Sequence, residues 1–279
     1  MEYITLNNGV KMPMLGYGVY QISQPECEQC VREAIEIGYR SIDTAQAYHN
    51  EEAVGRAIAQ CGIPRQELFL TTKVWISNAG YEKAGASIDA SLNNLKTDYV
   101  DLLLIHQPFG DYYGTYRAME EAVRAGKARA IGVSNFYPDR WLDLFHFCEI
   151  KPAVNQVETH VFQQQKTAHA LMKKYGIQIE SWGPFAEGKN GMFTNEILKT
   201  IGGHYGKTAA QTALRFLVQS GVAVIPKSVK KERMKENFNV FDFSLSEDEM
   251  HQIEALDTAQ SLFFSHYDPH TVEWFMSLV

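Results

Sequence analysis

Cysteine is scarce in this 279-residue chain, which has four: Cys27, Cys30, Cys61 and Cys148. Cys27-x-x-Cys30 could begin a zinc or redox motif, but a zinc site needs about four ligands and no second pair follows at finger spacing. The pair falls inside a predicted helix and reads as two reduced helical thiols, so no metal is expected. Positive charge is also in deficit. Lysine and arginine number 26 against 33 acids, a net charge of −7, and no basic run offsets it, which argues against a nucleic-acid partner. No apolar run is long enough to span a membrane. The start, Met1-Glu2-Tyr3-Ile4, lacks the basic stretch and apolar core of a signal peptide. A soluble, cytoplasmic monomer is expected. Sequence repeats, low-complexity tracts and interdomain linkers are absent too. The composition, 45% hydrophobic and 21% charged, is that of an ordinary globular protein.

What is present is an alternation of two periods. Asn8-Gly9, between short apolar runs, predicts a β-hairpin over residues 4–12 that caps one end. Strand-like runs follow at residues 15–20, 39–42, 68–72, 100–105, 128–133, 153–158, 177–182 and 222–225. Helical patterns separate them at 25–37, 51–61, 80–95, 115–125, 139–148, 163–175 and 208–219, and another lies at 231–238. Such alternation gives a parallel α/β sheet, and eight strands close a (β/α)8 TIM barrel, which runs to about 250 residues as one domain. Gly16-x-Gly18 invites a dinucleotide-turn reading, but Gln21 stands where the third glycine belongs and no helix opens there. One barrel domain over residues 1–279 is therefore preferred to an open doubly wound sheet. A long connection at 183–203 carries a helix near 194–201, and the capping box Ser246-x-x-Glu249 predicts an extra C-terminal helix at 246–256. The tail, 257–279, is aromatic, with Phe263, Phe264, Tyr267, Trp274 and Phe275, and is expected to fold over the barrel.

The chain is organised around residues 38–52. A short strand ends at Asp43, a loop brings Tyr48 back near that acid, and a helix starts with Asn50 as its expected N-cap. The next two strands end in Lys73 and His106. In a closed barrel these ends share one mouth. A tyrosine with a pKa of about 10 gives up a proton reluctantly. The Lys73 ammonium would lower it, Asp43 would hold Lys73 charged, and His106 could donate to a carbonyl oxygen. That set suits carbonyl reduction, which needs a hydride source that side chains cannot supply. Later strands end in Ser134, Asn135 and Gln156, which could hold a carboxamide, and in Trp182, a flat face for a nicotinamide ring. Pro226-Lys227-Ser228-Val229-Lys230-Lys231-Glu232-Arg233 puts four cations and a serine near the usual phosphate site of barrels.

These residues resemble the aldo-keto reductases along nearly the whole chain. The specific blocks are Gly38-Tyr39-Arg40-Ser41-Ile42-Asp43-Thr44-Ala45, Tyr48-x-Asn50-Glu51, Lys73, His106, Gly132-Val133-Ser134-Asn135-Phe136 and Ile225-Pro226-Lys227-Ser228. The chain looks most similar to the bacterial branch that includes the 2,5-diketo-D-gluconate reductases. The resemblance implies NADPH-dependent reduction of a small aldehyde or ketone. Tyr48 would be the general acid, tuned by Lys73 and Asp43, and His106 would orient the carbonyl. Ser134, Asn135 and Gln156 would hold the nicotinamide carboxamide, and Trp182 would stack on the ring. Lys227, Ser228 and Arg233 would bind the 2′-phosphate, Val229 would belong to the same cofactor site, and Glu236 and Asn237 would contact the adenine. The loop that starts at Gly183 and runs to Gly191 would close over the pyrophosphate. Tyr20, Trp75, Phe109 and Trp274 would wall the substrate pocket. Gln107 stands where the family usually has tryptophan, which implies a wider or more polar pocket at that point. The short tail goes with broad specificity. Two alternatives remain open: an NADPH-binding sensor without turnover, and a barrel enzyme that grips a substrate phosphate with residues 227–233.

Overall fold

A computed structural model describes residues 1–279. Strands β1 (Tyr3–Thr5) and β2 (Lys11–Pro13) pair antiparallel as the predicted hairpin, turned at Gly9, which takes a φ of +85°. Eight parallel strands follow: β3 (Tyr17–Gly18), β4 (Ser41–Asp43), β5 (Phe69–Val74), β6 (Val100–Ile105), β7 (Ala128–Ser134), β8 (Val154–Glu158), β9 (Gln178–Trp182) and β10 (Ala223–Val224). They pair in chain order. The Gly16 amide then donates to Val224 O at 2.8 Å, and the Val224 amide to Met14 O at 2.9 Å, so the last strand meets the first and the barrel closes.

Closure explains the two glycines that resemble half of a dinucleotide motif. A Cβ on Gly18 would lie 2.9 Å from Ile225 O, and one on Gly16 would lie 3.0 Å from Ile225 Cγ2. The first and last strands can approach this closely only because neither residue has a side chain.

The predicted helices are present, among them Gln24–Ile37, Glu51–Gln60, Tyr81–Leu95, Ala209–Gln219 and Lys231–Phe238. The capping box at Ser246 and Glu249 forms and starts the extra helix Glu247–Glu254. Cys27 and Cys30 are buried on the helix Gln24–Ile37 as free thiols. Most apolar side chains of strands and helices join one core of 68 buried residues. At its floor, buried Asp101 accepts from the Leu70 amide and pairs with Arg65 at 2.8 Å and Arg129 at 2.7 Å.

Three local expectations need correction. Lys73 lies inside β5 and does not follow it, because its charge is paired and can be buried. Asn50 occupies the N-cap position without capping. Its amide donates to Val19 O and Ile22 O, and its oxygen accepts from Thr44 Oγ1, so it ties two loops of the mouth together. The aromatic tail ends in a helix, Pro269–Met276, capped by Asp268, which the sequence pattern did not reveal.

Gly18→Ala is expected to cost about 1–3 kcal/mol, since the methyl must displace backbone rather than a flexible side chain. Gly85→Ala, in open space within the helix Tyr81–Leu95, should instead add about 0.5–1 kcal/mol. Thermal melts of the two variants decide the matter. Equal shifts would contradict the closure argument.

Candidate active site

The strand ends bring the four expected residues together. Asp43 is the last residue of β4, Lys73 is next to last in β5, His106 follows β6, and Tyr48 closes the 3-10 turn Gln46–Tyr48. Lys73 is fully buried, and its Nζ donates to Asp43 Oδ1 at 2.6 Å, to Thr44 O at 3.0 Å and to the Tyr48 hydroxyl at 3.3 Å. The His106 ring meets the Tyr48 ring edge-on at 5.5 Å and the Trp75 ring at 5.1 Å. Tyr20 is half exposed and lies 5.0 Å from the Tyr48 ring.

Burial sets the electrostatics. Loss of water pulls the Lys73 ammonium down, but Asp43, with Tyr48 and Glu180 behind it, more than offsets this and holds it above its ordinary value. His106 is held well below its ordinary value by burial and by Lys73, so its ring is neutral. The phenol departs from expectation. Lys73 does pull Tyr48 down, but burial outweighs it and the hydroxyl is pushed up to about 12.

The sequence reading missed one member of this cluster. Glu180, in β9, is buried, and the Gln156 amide donates to Glu180 Oε2 at 2.8 Å and to Asp43 Oδ2 at 2.9 Å. Burial first and the Asp43 charge second push its carboxyl up to about 8. The available signal was an acid inside an apolar strand, Ile177-Gln178-Ile179-Glu180.

Of the three side chains expected to hold a carboxamide, Ser134 and Asn135 bond to each other and Gln156 bonds to two carboxyls, so most of their capacity is already used. Ser134 Oγ donates to Gln156 O and accepts from Asn135 Nδ2. Asn135, at a φ of +62° that asparagine tolerates, also donates to His106 O and accepts from Trp182 Nε1 at 2.8 Å. Both Gln156 amide hydrogens point to carboxyls, so its Oε1 is the atom left to accept from a ligand. Trp182 faces the tail: Phe264 lies nearly parallel to it at 5.8 Å and Phe263 edge-on at 5.2 Å. The loop from Gly183 carries the turn Ala186–Gly191 and is clasped to that tail, with Lys189 Nζ donating to Leu262 O and lying 3.8 Å over the Phe263 ring. Glu158, at the end of β8, holds the same segment by accepting from Ser261 and the Leu262 amide.

The segment after β10 is fixed by two buried phenols. Tyr17 donates to Ser228 O and Tyr39 to Met234 O. Lys227, Lys230 and Arg233 are exposed and pair with no carboxylate, whereas Lys231 pairs with Glu36. Free cations at the start of the helix Lys231–Phe238 suit a phosphate group, so these residues fit a phosphorylated cofactor. Ser228 and Asn237 are buried, Val229 is exposed, and Glu236 accepts from Thr208.

Of the expected pocket walls, Trp75 and Phe109 are in place, and Phe275 joins them at 6.4 and 5.4 Å. Trp274 is 52% exposed and sits at the rim. Gln107 lies beside them, next to His106 in the chain. It is buried and bonded to His266 of the tail.

A buried acid, amine and imidazole thus meet a half-buried phenol at the mouth of the barrel. The chain belongs to the aldo/keto reductase family, whose model matches residues 12–258. It is 46% identical over 258 residues to a glyoxal reductase of Bacillus subtilis, covering 92% of this chain and 93% of that one. An aldo-keto reductase structure from a Medee basin deep-sea metagenome library superposes with a TM-score of 0.93 at 42% identity, covering 95% of this chain and 98% of the other. A Bombyx mori aldo-keto reductase in complex with NADP superposes at 0.90 and 33% identity, covering 94% and 95%.

Glu180 makes stability depend on pH. The folded chain keeps a proton that the unfolded chain releases, so stability falls as pH rises from the usual carboxylate range to about 8. Glu180→Gln removes that ionisation. Its advantage in Tm over the native chain is expected to grow between pH 5 and 8, by at least about 2–4 °C. A difference that does not change with pH would contradict this assignment.

Proposed function

We propose that the chain reduces aldehydes or ketones to alcohols with NADPH, with Tyr48 as general acid. The observation that carries this reading is the contact set of Lys73 Nζ, which reaches Asp43 Oδ1 at 2.6 Å and the Tyr48 hydroxyl at 3.3 Å in a buried strand end. NADPH, when bound, supplies the hydride. The substrate carbonyl takes hydride at carbon and a proton at oxygen. Tyr48 gives that proton, and the phenolate left behind faces the Lys73 ammonium. With its pKa at about 12 the phenol is protonated before each turnover. Lys73 acts when the proton leaves, by stabilising the charge that forms. Asp43 keeps the amine charged.

His106 is neutral, and its Nδ1 is buried with no partner. A buried N–H without an acceptor costs more than a bare lone pair, which favours the proton on Nε2. Nε2 then donates to the carbonyl oxygen and aligns it beside Tyr48. Gln156 Oε1 would accept from the nicotinamide carboxamide, and the Trp182 ring would lie against the nicotinamide. Lys227, Lys230 and Arg233 would favour a 2′-phosphate over a free 2′-hydroxyl, hence NADPH over NADH. The NADP complex of the Bombyx mori protein supports that choice of cofactor. The name of the glyoxal reductase from Bacillus subtilis supports small carbonyl compounds as substrates.

The test follows NADPH absorbance with glyoxal, methylglyoxal, butanal and benzaldehyde, with NADH in parallel. Tyr48→Phe should lower kcat by about 10²–10⁴ while NADPH still quenches tryptophan fluorescence. Turnover retained by the variant would overturn the acid assignment. NADPH binding by the native chain without oxidation of any carbonyl would favour a sensor.

A further inference from the structure

Gln107 follows His106 directly, and the backbone bends at residues 106–108 instead of continuing the alternation of β6. Consecutive side chains can therefore serve the same mouth. Gln107 is 6% exposed, and its Oε1 accepts from His266 Nε2 at 2.7 Å. His266 is itself 6% exposed and held from several sides. Its amide donates to the Tyr137 hydroxyl, its ring stacks on Phe275 at 5.6 Å and 13°, and Phe109 lies 5.4 Å away. Burial and the nearby Arg140 guanidinium lower its pKa to about 4, so at neutral pH the imidazole is uncharged, with the Nε2 proton on Gln107.

This leaves the other end of the Gln107 amide. Its Nε2 has no protein acceptor, yet it is not sealed off as His106 Nδ1 is. The His266 ring that holds the amide packs between Phe109 and Phe275, and Phe275 in turn meets Trp75, so the wall here is aromatic. A fixed donor in an apolar wall is costly unless something brings an acceptor to it.

Building on the reductase reading of the same site, we infer that Gln107 is a specificity residue. Held by His266, it donates from Nε2 to a second oxygen on the carbon next to the reacting carbonyl. The favoured substrates are then 2-oxo and 2-hydroxy aldehydes over plain aldehydes. The spacing suits this, since His106 takes the first oxygen and neighbouring Cα atoms lie about 3.8 Å apart. His266 is a positioning residue: it touches no substrate and acts by stopping the amide from turning.

The experiment compares kcat/KM for methylglyoxal with that for butanal, in native enzyme and in variants, so that intrinsic reactivity and hydration cancel. Gln107→Leu keeps the shape and removes the donor. The methylglyoxal-to-butanal ratio is expected to fall about tenfold, mainly through KM for methylglyoxal. His266→Phe keeps the aromatic packing and should lower the same ratio. The double variant should lose no more than Gln107→Leu alone, because both changes remove one contact. An unchanged ratio, a fall of both substrates in step, or additive losses in the double variant would each overturn the proposal. Absence of turnover in the native enzyme on either substrate would instead overturn the reductase reading on which it rests.

Discussion

The buried pair of Lys73 and Asp43 is the constraint on which the mouth of the barrel depends. Moving two charges out of water is expensive, and their attraction repays it only when the remaining hydrogen-bonding capacity is also met. Here it is met by the neighbouring strands. Thr44 O and the Tyr48 hydroxyl take the other Lys73 protons, and Gln156 donates to the second Asp43 oxygen. Each of these groups can be present only if β4, β5 and β8 keep their register, so closure of the sheet and assembly of the site are one requirement. A hydrophobic pair of similar volume would fill the space at less cost. The proposed proton transfer is what requires ions here instead.

The same dry surroundings act differently on each group. They leave the amine charged because a carboxylate touches it, the imidazole neutral because its cation would lack water and would face an ammonium, and the phenol protonated because its own anion would lack water. They also keep Glu180 in its acid form well above the usual range. The mouth thus carries little excess charge at rest, and its donors are set before a carbonyl arrives. Over it the tail supplies aromatic surface and is itself held by polar anchors, Glu158 on Ser261 and Gln107 on His266.

Much of this was legible in the sequence. Alternating periods gave eight strands and their order, and polar residues at strand ends marked Asp43, Lys73 and His106. Single side chains were harder to read. Asn50 looks like a cap, yet its partners Val19 and Ile22 lie some thirty residues earlier in the chain, and only the closed barrel brings them close. Glu180 is one acid in an apolar strand, and nothing local distinguishes a floor contact from a partner of Asp43. Lys73 ended the predicted strand because charge ends apolar runs, although its partner lets the strand continue. The contact of Gln107 with His266 spans 159 residues, beyond the reach of any spacing argument.

The central claim is that the Lys73–Asp43 pair serves proton transfer more than stability. It is tested by comparing Asp43→Asn, Lys73→Met and the double variant in thermal melts and in NADPH oxidation. Each single change should destabilise the fold by about 3–5 kcal/mol by stranding a buried charge, or an amide in its place. The double variant should recover most of that loss and yet turn over no carbonyl substrate. A double variant that is stable and still reduces aldehydes at the native rate would contradict the account.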